Sequence, residues 1–320
     1  MTMNKFVYIA GYGRSGSTLL DMLLDSVPHA FGSGELARIF DQWQQNGVCS
    51  CQRPIQSCTF WRPVMHRYKL QMSDIPLEEA QRVTRKVEGM SNLGRLLTKR
   101  YSSDEITYKR VWLAMLKSIH ELSGSNLMVD SSKSTRATVG RPLALSELCG
   151  SNLSVIHLVR DPRAIMWSTL RGSNRLLEKQ VDATIRGGEL RAMLSWTFTN
   201  IIVQLLQKIR FKNVIRVRYE DMVSNTQEVM ERVGEFLHTD TSGVVNAAGD
   251  VDLQSGHGIA GNRLRRGKVQ RLQLDEEWRS RLPSAAWLLA WIGWPLIRQY
   301  GYRLTSDTMV TTTVNRRNMK

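Results

Sequence analysis

The sequence predicts an α/β protein with a parallel sheet, and three observations support this fold class. Short apolar, β-branched segments predict strands at residues 6–10, 127–129, 153–159 and 214–217. Helical patterns separate these segments, which is typical of a parallel sheet with helices on its faces. The composition is 42% hydrophobic and 23% charged, which provides a sizeable core and excludes a disordered chain.

The length, charge and apolar runs limit the functional class. We expect one domain over residues 1–304, followed by a polar tail at 305–320. The formal net charge of +15 predicts an anionic partner, without choosing between nucleic acid, a membrane surface and a phosphorylated small molecule. The first apolar run is too short for a signal peptide, and no run reaches about 20 apolar residues. We therefore expect a cytoplasmic protein.

A glycine-rich segment follows the first predicted strand and opens a predicted helix at 17–24. It reads Gly11-Tyr12-Gly13-Arg14-Ser15-Gly16-Ser17-Thr18. The spacing matches a dinucleotide fingerprint with Glu35 as its acidic residue, and nearly matches a nucleotide-triphosphate loop. Ser17 stands where that loop needs lysine, which disfavours the alternative of a nucleotide kinase. Arginine, hydroxyls and backbone N–H groups at a helix N-terminus suit a phosphate that carries a further anionic group.

A second anion-binding signal follows the third predicted strand. Arg160-Asp161-Pro162-Arg163 leads into a helix that carries Ser168, and Pro162 is typical of a first helical turn. Arg160 and Ser168 together can hold one additional phosphate. A donor with phosphates at both the 5′ and 3′ positions of one nucleoside needs two such sites, whereas a dinucleotide fold or an ATPase does not.

Taken in this order, the motifs resemble those of sulfotransferases that use 3′-phosphoadenosine 5′-phosphosulfate (PAPS). Residues 13–20 resemble the family's 5′-phosphosulfate loop, and residues 159–163 with Ser168 resemble its 3′-phosphate motif. Residues 217–222 resemble a later strand-end motif whose tyrosine lies beside the adenine. The basic segment 261–268 resembles the bacterial version of a C-terminal 3′-phosphate stretch, and arginine at position 14 resembles the carbohydrate and bacterial branches.

The resemblance implies a P-loop-like three-layer fold with a central parallel sheet and a C-terminal lid. Within it we expect a helical insertion at 60–125 and a mobile loop at 240–270. PAPS would be the sulfuryl donor and adenosine 3′,5′-bisphosphate the product. The donor-binding residues that the resemblance implies are Gly13, Arg14, Ser15, Gly16, Ser17, Thr18, Leu19, Arg160, Ser168, Tyr219, Arg265, Arg266 and Gly267. Which of Arg265, Arg266 and Lys268 reaches the 3′-phosphate stays open.

Catalysis of this kind depends on positioning and charge stabilisation. Arg14 is the candidate that stabilises charge on the leaving phosphate. Glu35 is the candidate general base, and it resembles the base of bacterial carbohydrate-sulfating members. Lys133, after the second strand, would touch the sulfuryl group or the acceptor.

The acceptor would be a hydroxyl on a carbohydrate, a glycolipid or a natural product, and no catalytic metal is expected. Two histidines, His29 and His257, are runners-up for the base. A third, His157, lies inside an apolar strand and is predicted to be a core histidine.

Weaker signals concern cysteines and tryptophans. Cys49-x-Cys51-x6-Cys58 with His66 suggests zinc, but the unusual spacing favours small buried residues or a disulfide. Three tryptophans at helical spacing favour a core-packing helix, and the alternative is peripheral contact with the inner membrane surface. These tryptophans are Trp287, Trp291 and Trp294.

Two expectations about partners remain. The second alternative function, nucleic-acid binding, predicts aromatic residues interleaved with basic ones, whereas the arginines here cluster at strand ends. We therefore expect a small-molecule or glycan acceptor and no nucleic acid, with a homodimer as an open possibility.

Overall fold

The computed structural model describes residues 5–171, 187–253, 256–261, 263–266 and 271–304. Within these ranges a parallel sheet has five strands in the order β2-β3-β1-β4-β5. The strands are β1 (Lys5–Ala10), β2 (Ala30–Gly32), β3 (Leu127–Asp130), β4 (Leu153–Val159) and β5 (Val214–Arg218). The predicted strands are confirmed, and β2 was missed because three residues carry no readable alternation.

Helices cover both faces of this sheet, which confirms the predicted α/β class. Within the described ranges they are α1 (Ser17–Asp25), α2 (Ile39–Gln44), α3 (Trp61–Gln71), α4 (Leu77–Glu88), α5 (Leu93–Thr98), α6 (Ser103–Ser123), α7 (Arg141–Cys149), α8 (Pro162–Leu170), α9 (Gly188–Ile209), α10 (Tyr219–Ser224), α11 (Thr226–Leu237), α12 (Trp278–Arg281), α13 (Ser284–Leu289) and α14 (Trp294–Gln299).

The central strand β1 is buried on both sides because its side chains alternate between two hydrophobic clusters. Phe6 and Tyr8 face the cluster that includes helices α3, α4 and α6, whereas Val7 and Ile9 face the cluster that includes α1 and α11. A capping box of Ser102 and Glu105 starts α6. Residues 77–123 therefore contain three helices, α4, α5 and α6, and the last of them begins after Ser102.

A buried ionic cluster ties the inserted helices to the carboxyl end of β3. Arg141 on α7 donates from Nε to Asp130 Oδ2 at 2.7 Å, and its Nη1 donates to Glu88 at the end of α4. The other carboxylate oxygen of Asp130 accepts from the backbone N–H of Ser132 at 2.8 Å. Because removing one partner would leave a buried charge uncompensated, this cluster fixes the loop that leads to Lys133.

The C-terminal segment differs from the continuous helix that the tryptophan spacing predicts. It splits into α13, a 3₁₀ turn and α14, where Pro295 occupies the first turn, which tolerates its missing N–H. Trp287 packs against Trp278, with ring centroids 5.6 Å apart, whereas Trp291 is 61% exposed and Trp294 39% exposed. Only the first of the three predicted tryptophans therefore packs inward.

In the ranges given above, every helix is either too short or too polar to cross a bilayer. The predicted tail at 305–320 lies outside the described residues.

Candidate functional site

The order of the strands sets the order of the candidate site residues along one edge of the sheet. Glu35 follows β2, Lys133 follows β3, Arg14 follows β1, Arg160 follows β4 and Tyr219 follows β5. Ligands of open α/β sheets bind outside the carboxyl ends of the strands. A cavity of about 610 Å³ lies there, and all five residues line it.

The loops after β1 and β4 begin side by side because these strands are neighbours in the sheet. Ala10 is the register partner of His157. Gly11, with φ 155°, passes so close to the carbonyl oxygen of Leu158 that any Cβ there would clash. The two anion-binding motifs predicted from separate parts of the sequence therefore meet at one place.

The glycine loop ends at Gly16, which has φ 94° and precedes the first turn of α1. A Cβ at Gly16 would clash with the ring of Tyr219, so glycine is required both by the left-handed backbone and by this close approach. Ser17 and Thr18 stand in the first turn of α1 and line the cavity with Leu19. The N–H groups of a first turn have no intrahelical partner, so they can bind an anion here.

Two arginines connect the glycine loop to the second motif. Arg14 Nη1 donates to Ser168 Oγ at 2.9 Å, and Arg160 Nη1 donates to the backbone carbonyl oxygen of Arg14 at 3.0 Å. The guanidinium of Arg160 lies 4.2 Å from the ring centroid of Tyr219. Burial lowers the pKa of Arg14, and the charges of Arg171 and Arg160 add to this effect against an opposing contribution from Tyr12. A bound anion would relieve this crowding of positive charge.

Two buried polar atoms on these loops lack a hydrogen-bond partner among the described residues. They are Ser15 Oγ, in a residue that is 1% exposed, and Arg160 Nε, in a residue that is 7% exposed. Asp275 is the nearest carboxylate to Arg160, at 3.9 Å, and it also pairs with Arg171 at 2.6 Å. Because buried polar groups normally have partners, Arg160 Nε is suited to binding an oxyanion in the cavity that Arg160 lines, whereas Ser15 does not line that cavity.

At the opposite end of the cavity, Glu35 is held between two cations. Lys133 Nζ lies 2.5 Å from Glu35 Oε1, and Arg38 Nη1 lies 3.5 Å from Glu35 Oε2. The backbone N–H of Glu35 donates to the carbonyl oxygen of Ile259 at 2.8 Å. The side chain of Lys133 also runs beside Gly13. The predicted base and the predicted lysine therefore form one unit next to the glycine loop.

In the basic segment at 261–268, Arg265 is paired with a residue of α1. Arg265 is 3% exposed, and its Nη2 pairs with Asp21 Oδ1 at 2.6 Å, which turns it toward α1. Gly261 and Leu264, rather than Arg265, line the cavity among the described residues of this segment. Three predicted contacts lie outside the described side chains, namely Arg266, Gly267 and Lys268.

The loop predicted to be mobile at 240–270 is anchored in its described part. Ile259 is 1% exposed and pairs with Gly34 and Cys49 in isolated bridges. Its backbone N–H donates to the carbonyl oxygen of Ser33 at 2.8 Å. These backbone hydrogen bonds hold the chain at Ile259 beside the candidate base, and the mobility of the loop as a whole stays a prediction.

Two of the predicted histidines, His29 and His157, do not line the cavity. His29 is exposed at the amino end of β2, the edge opposite the site. His157 is buried, and its Nε2 lies 2.8 Å from Asn200 Oδ1. Burial lowers the pKa of His157 to about 4, with the charge of Arg216 adding to the effect and the Asn200 contact opposing it. His157 is therefore a core residue, and Glu35 remains the candidate base.

The cysteine pattern also needs a correction. His66 is exposed on α3, and His257 takes the place beside Cys49 and Cys58 that the sequence hypothesis gave to His66. All four cysteines are free, so of the two expected alternatives the disulfide is absent from the described chain, whereas Cys49 and Cys58 are buried as the other alternative predicts.

Five cavity-lining residues were not among the predicted catalytic or donor-binding residues, namely Tyr12, Arg38, Thr135, Gly261 and Leu264. Arg38 and Thr135 line the cavity close to Glu35 and Lys133. Arg38 lies one helical turn after Glu35, and that spacing was the signal that could have revealed it.

Comparison with known proteins decides the family. The model of the sulfotransferase family matches residues 7–243, which cover the five strands, apart from the first two residues of β1, and most of the cavity. The chain belongs to the sulfotransferase family. A comparison with curated proteins finds no match.

Solved structures agree on the fold of this sulfotransferase. The sulfotransferase domain from the curacin biosynthetic pathway gives a TM-score of 0.50 at 16% identity, covering 95% of this chain and 100% of that one. The sulfotransferase domain from the Synechococcus PCC 7002 olefin synthase also gives 0.50, at 19% identity, covering 94% of this chain and 96% of that one. These likenesses confirm the P-loop-like α/β fold.

Proposed function

We propose that this sulfotransferase uses PAPS as its donor and transfers the sulfuryl group to a hydroxyl of a carbohydrate, a glycolipid or a natural product. The observation that carries the proposal is the joining of two cationic motifs at one sheet edge. Arg14 and Arg160 contact each other through the Arg14 carbonyl oxygen, and Ser168 lies beside them. A nucleotide with phosphates at both ends of one nucleoside matches this pair of sites.

The cavity fits such a donor in size and chemistry. Its volume of about 610 Å³ lies within the range usual for small-molecule sites. The unpartnered Arg160 Nε is a donor that a phosphate oxygen in this cavity would satisfy. We infer that Ser15, Ser17 and Thr18 hold the 5′-phosphate at the start of α1, and that Arg160 and Ser168 hold the 3′-phosphate.

The nucleoside would lie between these two groups, at the β4 and β5 end of the cavity. The ring of Tyr219 is already stacked on Arg160 there, and it offers an aromatic edge to a base. Gly261 and Leu264 line the same cavity and supply apolar contacts. The resemblance of residues 217–222 to the adenine-adjacent motif supports the same placement.

The chain's own residues account for transfer without a covalent enzyme intermediate. When bound, PAPS supplies an activated sulfuryl group whose leaving group is a phosphate. Glu35 accepts the proton of the acceptor hydroxyl as its oxygen forms the new bond to sulfur. Lys133, paired with Glu35 at 2.5 Å, orients that carboxylate and faces the developing negative charge. Arg14 stabilises the charge on the departing phosphate.

The acceptor would enter at the β2 and β3 end of the cavity, where Glu35, Arg38, Lys133 and Thr135 lie together. A hydroxyl-rich acceptor matches these charged and hydroxyl-bearing side chains, which donate and accept hydrogen bonds. The family match favours this chemistry over the alternative of a nucleotide kinase, and the clustering of arginines at the cavity disfavours nucleic-acid binding.

The exposed C-terminal tryptophans bear on where the protein acts and what it contacts. We propose a cytoplasmic enzyme, and exposed Trp291 and Trp294 would provide peripheral contact with a membrane or with a second copy of the chain.

Transfer from PAPS labelled with radioactive sulfate tests the function directly. The purified protein is offered the donor with a panel of glycans, glycolipids and cell extracts. We expect label in one acceptor class, and no transfer by a double variant Arg14→Ala, Arg160→Ala. Transfer from ATP labelled in its γ-phosphate, without transfer from PAPS, would overturn the proposal in favour of a kinase.

A further inference from the structure

Three cysteines and one histidine from distant parts of the chain converge next to the active site. The residues are Cys49, Cys51, Cys58 and His257, and one ligand atom from each lies within 4.8 Å of all the others. Cys58 Sγ is 3.7 Å from both Cys49 Sγ and Cys51 Sγ. His257 Nδ1 is 3.3 Å from Cys58 Sγ and 3.9 Å from Cys49 Sγ.

Four of the six separations, from 3.3 to 3.9 Å, are close to the edges of a tetrahedron around zinc, and the other two lie within 4.8 Å. With Zn–S bonds of about 2.3 Å and Zn–N bonds of about 2.0–2.1 Å, tetrahedral angles separate the ligand atoms by about 3.6–3.8 Å. A disulfide would instead bring two sulfur atoms to about 2.05 Å. The observed spacing is therefore close to that of a metal site and too long for a covalent bond.

We propose that Cys49, Cys51, Cys58 and His257 bind a structural Zn²⁺ ion. Thiolate and imidazole are the ligands that zinc prefers, and four protein ligands close its coordination shell. No position is left for water or substrate, so the site is structural rather than catalytic. Sequence spacing alone could not find the fourth ligand, because His257 lies 199 residues after Cys58 and beyond the residues 7–243 that the family model matches.

The surroundings already hold the ligands in place. Cys49 is 1% exposed and Cys58 is buried completely. The ring of Phe60 stacks on the imidazole of His257, with centroids 5.4 Å apart and planes 14° apart. The indole N–H of Trp61 donates to the backbone carbonyl oxygen of His257. Such outer contacts fix the orientation of a ligating imidazole.

The ion would join the cysteine loop to the segment that supports the candidate base. Ser50 donates its backbone N–H to the carbonyl oxygen of Gly258 at 3.1 Å, directly beside two of the ligands. The next residue, Ile259, accepts from the backbone N–H of Glu35 at 2.8 Å and donates to Ser33. Zinc bound to these four ligands would therefore stabilise the backbone segment that is hydrogen-bonded to Glu35.

Elemental analysis of untagged protein, expressed with zinc in the medium, tests the site without reference to activity. We expect about one zinc per chain, as for other structural sites that bind metal tightly. His257→Ala and Cys58→Ala should lose this zinc. Two controls should keep it: His66→Ala, which removes the histidine nearest in sequence, and Cys149→Ala, which removes a buried cysteine outside the cluster.

A second measurement uses the wild-type protein, so its result does not depend on whether the variants at the zinc ligands fold. Wild-type protein stripped with a chelator is titrated with Co²⁺, and we expect the intense visible absorption of tetrahedral thiolate coordination, bleached by Zn²⁺. Restoring Zn²⁺ should raise the thermal midpoint, and Mg²⁺ should not.

Three results would overturn the zinc site. One is wild-type protein without metal that also gives no thiolate–cobalt absorption. Another is an intact mass showing a disulfide among the cluster cysteines. The third is zinc that survives in His257→Ala but is lost in His66→Ala. None of these depends on the donor or acceptor, so failure here is distinguishable from failure of the proposed sulfuryl transfer.

Discussion

Arg160 donates a hydrogen bond from Nη1 to the backbone carbonyl oxygen of Arg14 at 3.0 Å. The contact joins the loop after β4 to the loop after β1, which are adjacent because Ala10 and His157 are register partners. A ligand with two anionic ends can therefore contact both motifs without a domain movement. The account of donor binding depends on this contact, and four predictions follow from it and from its surroundings.

The first prediction concerns Arg160→Ala. It removes charge-assisted hydrogen bonds worth roughly 1.5–3 kcal/mol, so affinity for adenosine 3′,5′-bisphosphate should fall by about 10- to 150-fold. Calorimetric titration measures this loss. Arg110→Ala is the matched control, because Arg110 is an exposed arginine on α6 that pairs with Asp74, and it should leave the affinity unchanged. Equal nucleotide affinities of the wild-type protein, Arg160→Ala and Arg110→Ala would show that Arg160 does not bind the nucleotide.

The second prediction concerns Gly16→Ala. A side chain at Gly16 requires a left-handed backbone that costs about 1–2 kcal/mol, and it would displace the ring of Tyr219. We expect nucleotide affinity to fall by about tenfold or more. The control is Gly94→Ala in α5, where a Cβ meets nothing within 4 Å. There the helix should gain about 1 kcal/mol and binding should not change. An unchanged nucleotide affinity in Gly16→Ala would contradict the close packing of the glycine loop against Tyr219.

The third prediction separates catalysis from binding. Glu35→Gln keeps the shape of the side chain but cannot accept a proton, so turnover should fall by about 10²- to 10⁴-fold. Affinity for adenosine 3′,5′-bisphosphate should stay at the wild-type value. The measurement uses the acceptor that the transfer assay identifies. Glu79→Gln, in a glutamate paired with Arg82 on the exposed face of α4, serves as control. Normal turnover of Glu35→Gln at neutral pH would exclude Glu35 as the base.

The fourth prediction uses the buried His157. Its pKa is about 4 in the folded protein, against an ordinary value of 6.5, so only the unfolded chain takes up this proton between those values. The stabilising contribution is therefore complete above pH 6.5 and is lost as the pH falls toward 4. The free energy of unfolding should decrease by about 3 kcal/mol across this window.

Chemical denaturation at a series of pH values measures that slope. His157→Gln should lose this part of the pH dependence, whereas His29→Gln, in an exposed histidine, should retain it. An unchanged slope in His157→Gln would mean that another group titrates in the window.

The sequence alone was sufficient to predict which edge of the sheet carries the candidate site and which cationic residues lie there. Strand ends are readable because a buried strand is a continuous apolar run and the loop after it is polar. Gly16, Arg14 and Arg160 were therefore found from local patterns, and parallel pairing then placed them together. Glu35 was found by resemblance, although β2 before it is too short to show a strand pattern.

The remaining parts of the site depend on contacts between distant segments. The positive charge of Arg265 suggested a phosphate contact. Only the structure shows that its guanidinium pairs with the buried Asp21. His257 contacts Cys49 and Cys58, which lie 208 and 199 residues before it in the sequence. Because local spacing cannot show such a contact, it favoured His66 instead. Neither contact leaves a periodic signal in the sequence, because both depend on how the chain folds back on itself.

The most direct test of the account compares three nucleotides on one protein. Calorimetry should show that adenosine 3′,5′-bisphosphate binds far more tightly than the 5′-monophosphate or the 3′-monophosphate, because it alone fills both anion sites. In Arg160→Ala the bisphosphate should bind no better than the 5′-monophosphate. Equal affinity of the wild-type protein for all three nucleotides, or no binding of the bisphosphate, would contradict the two-site cavity.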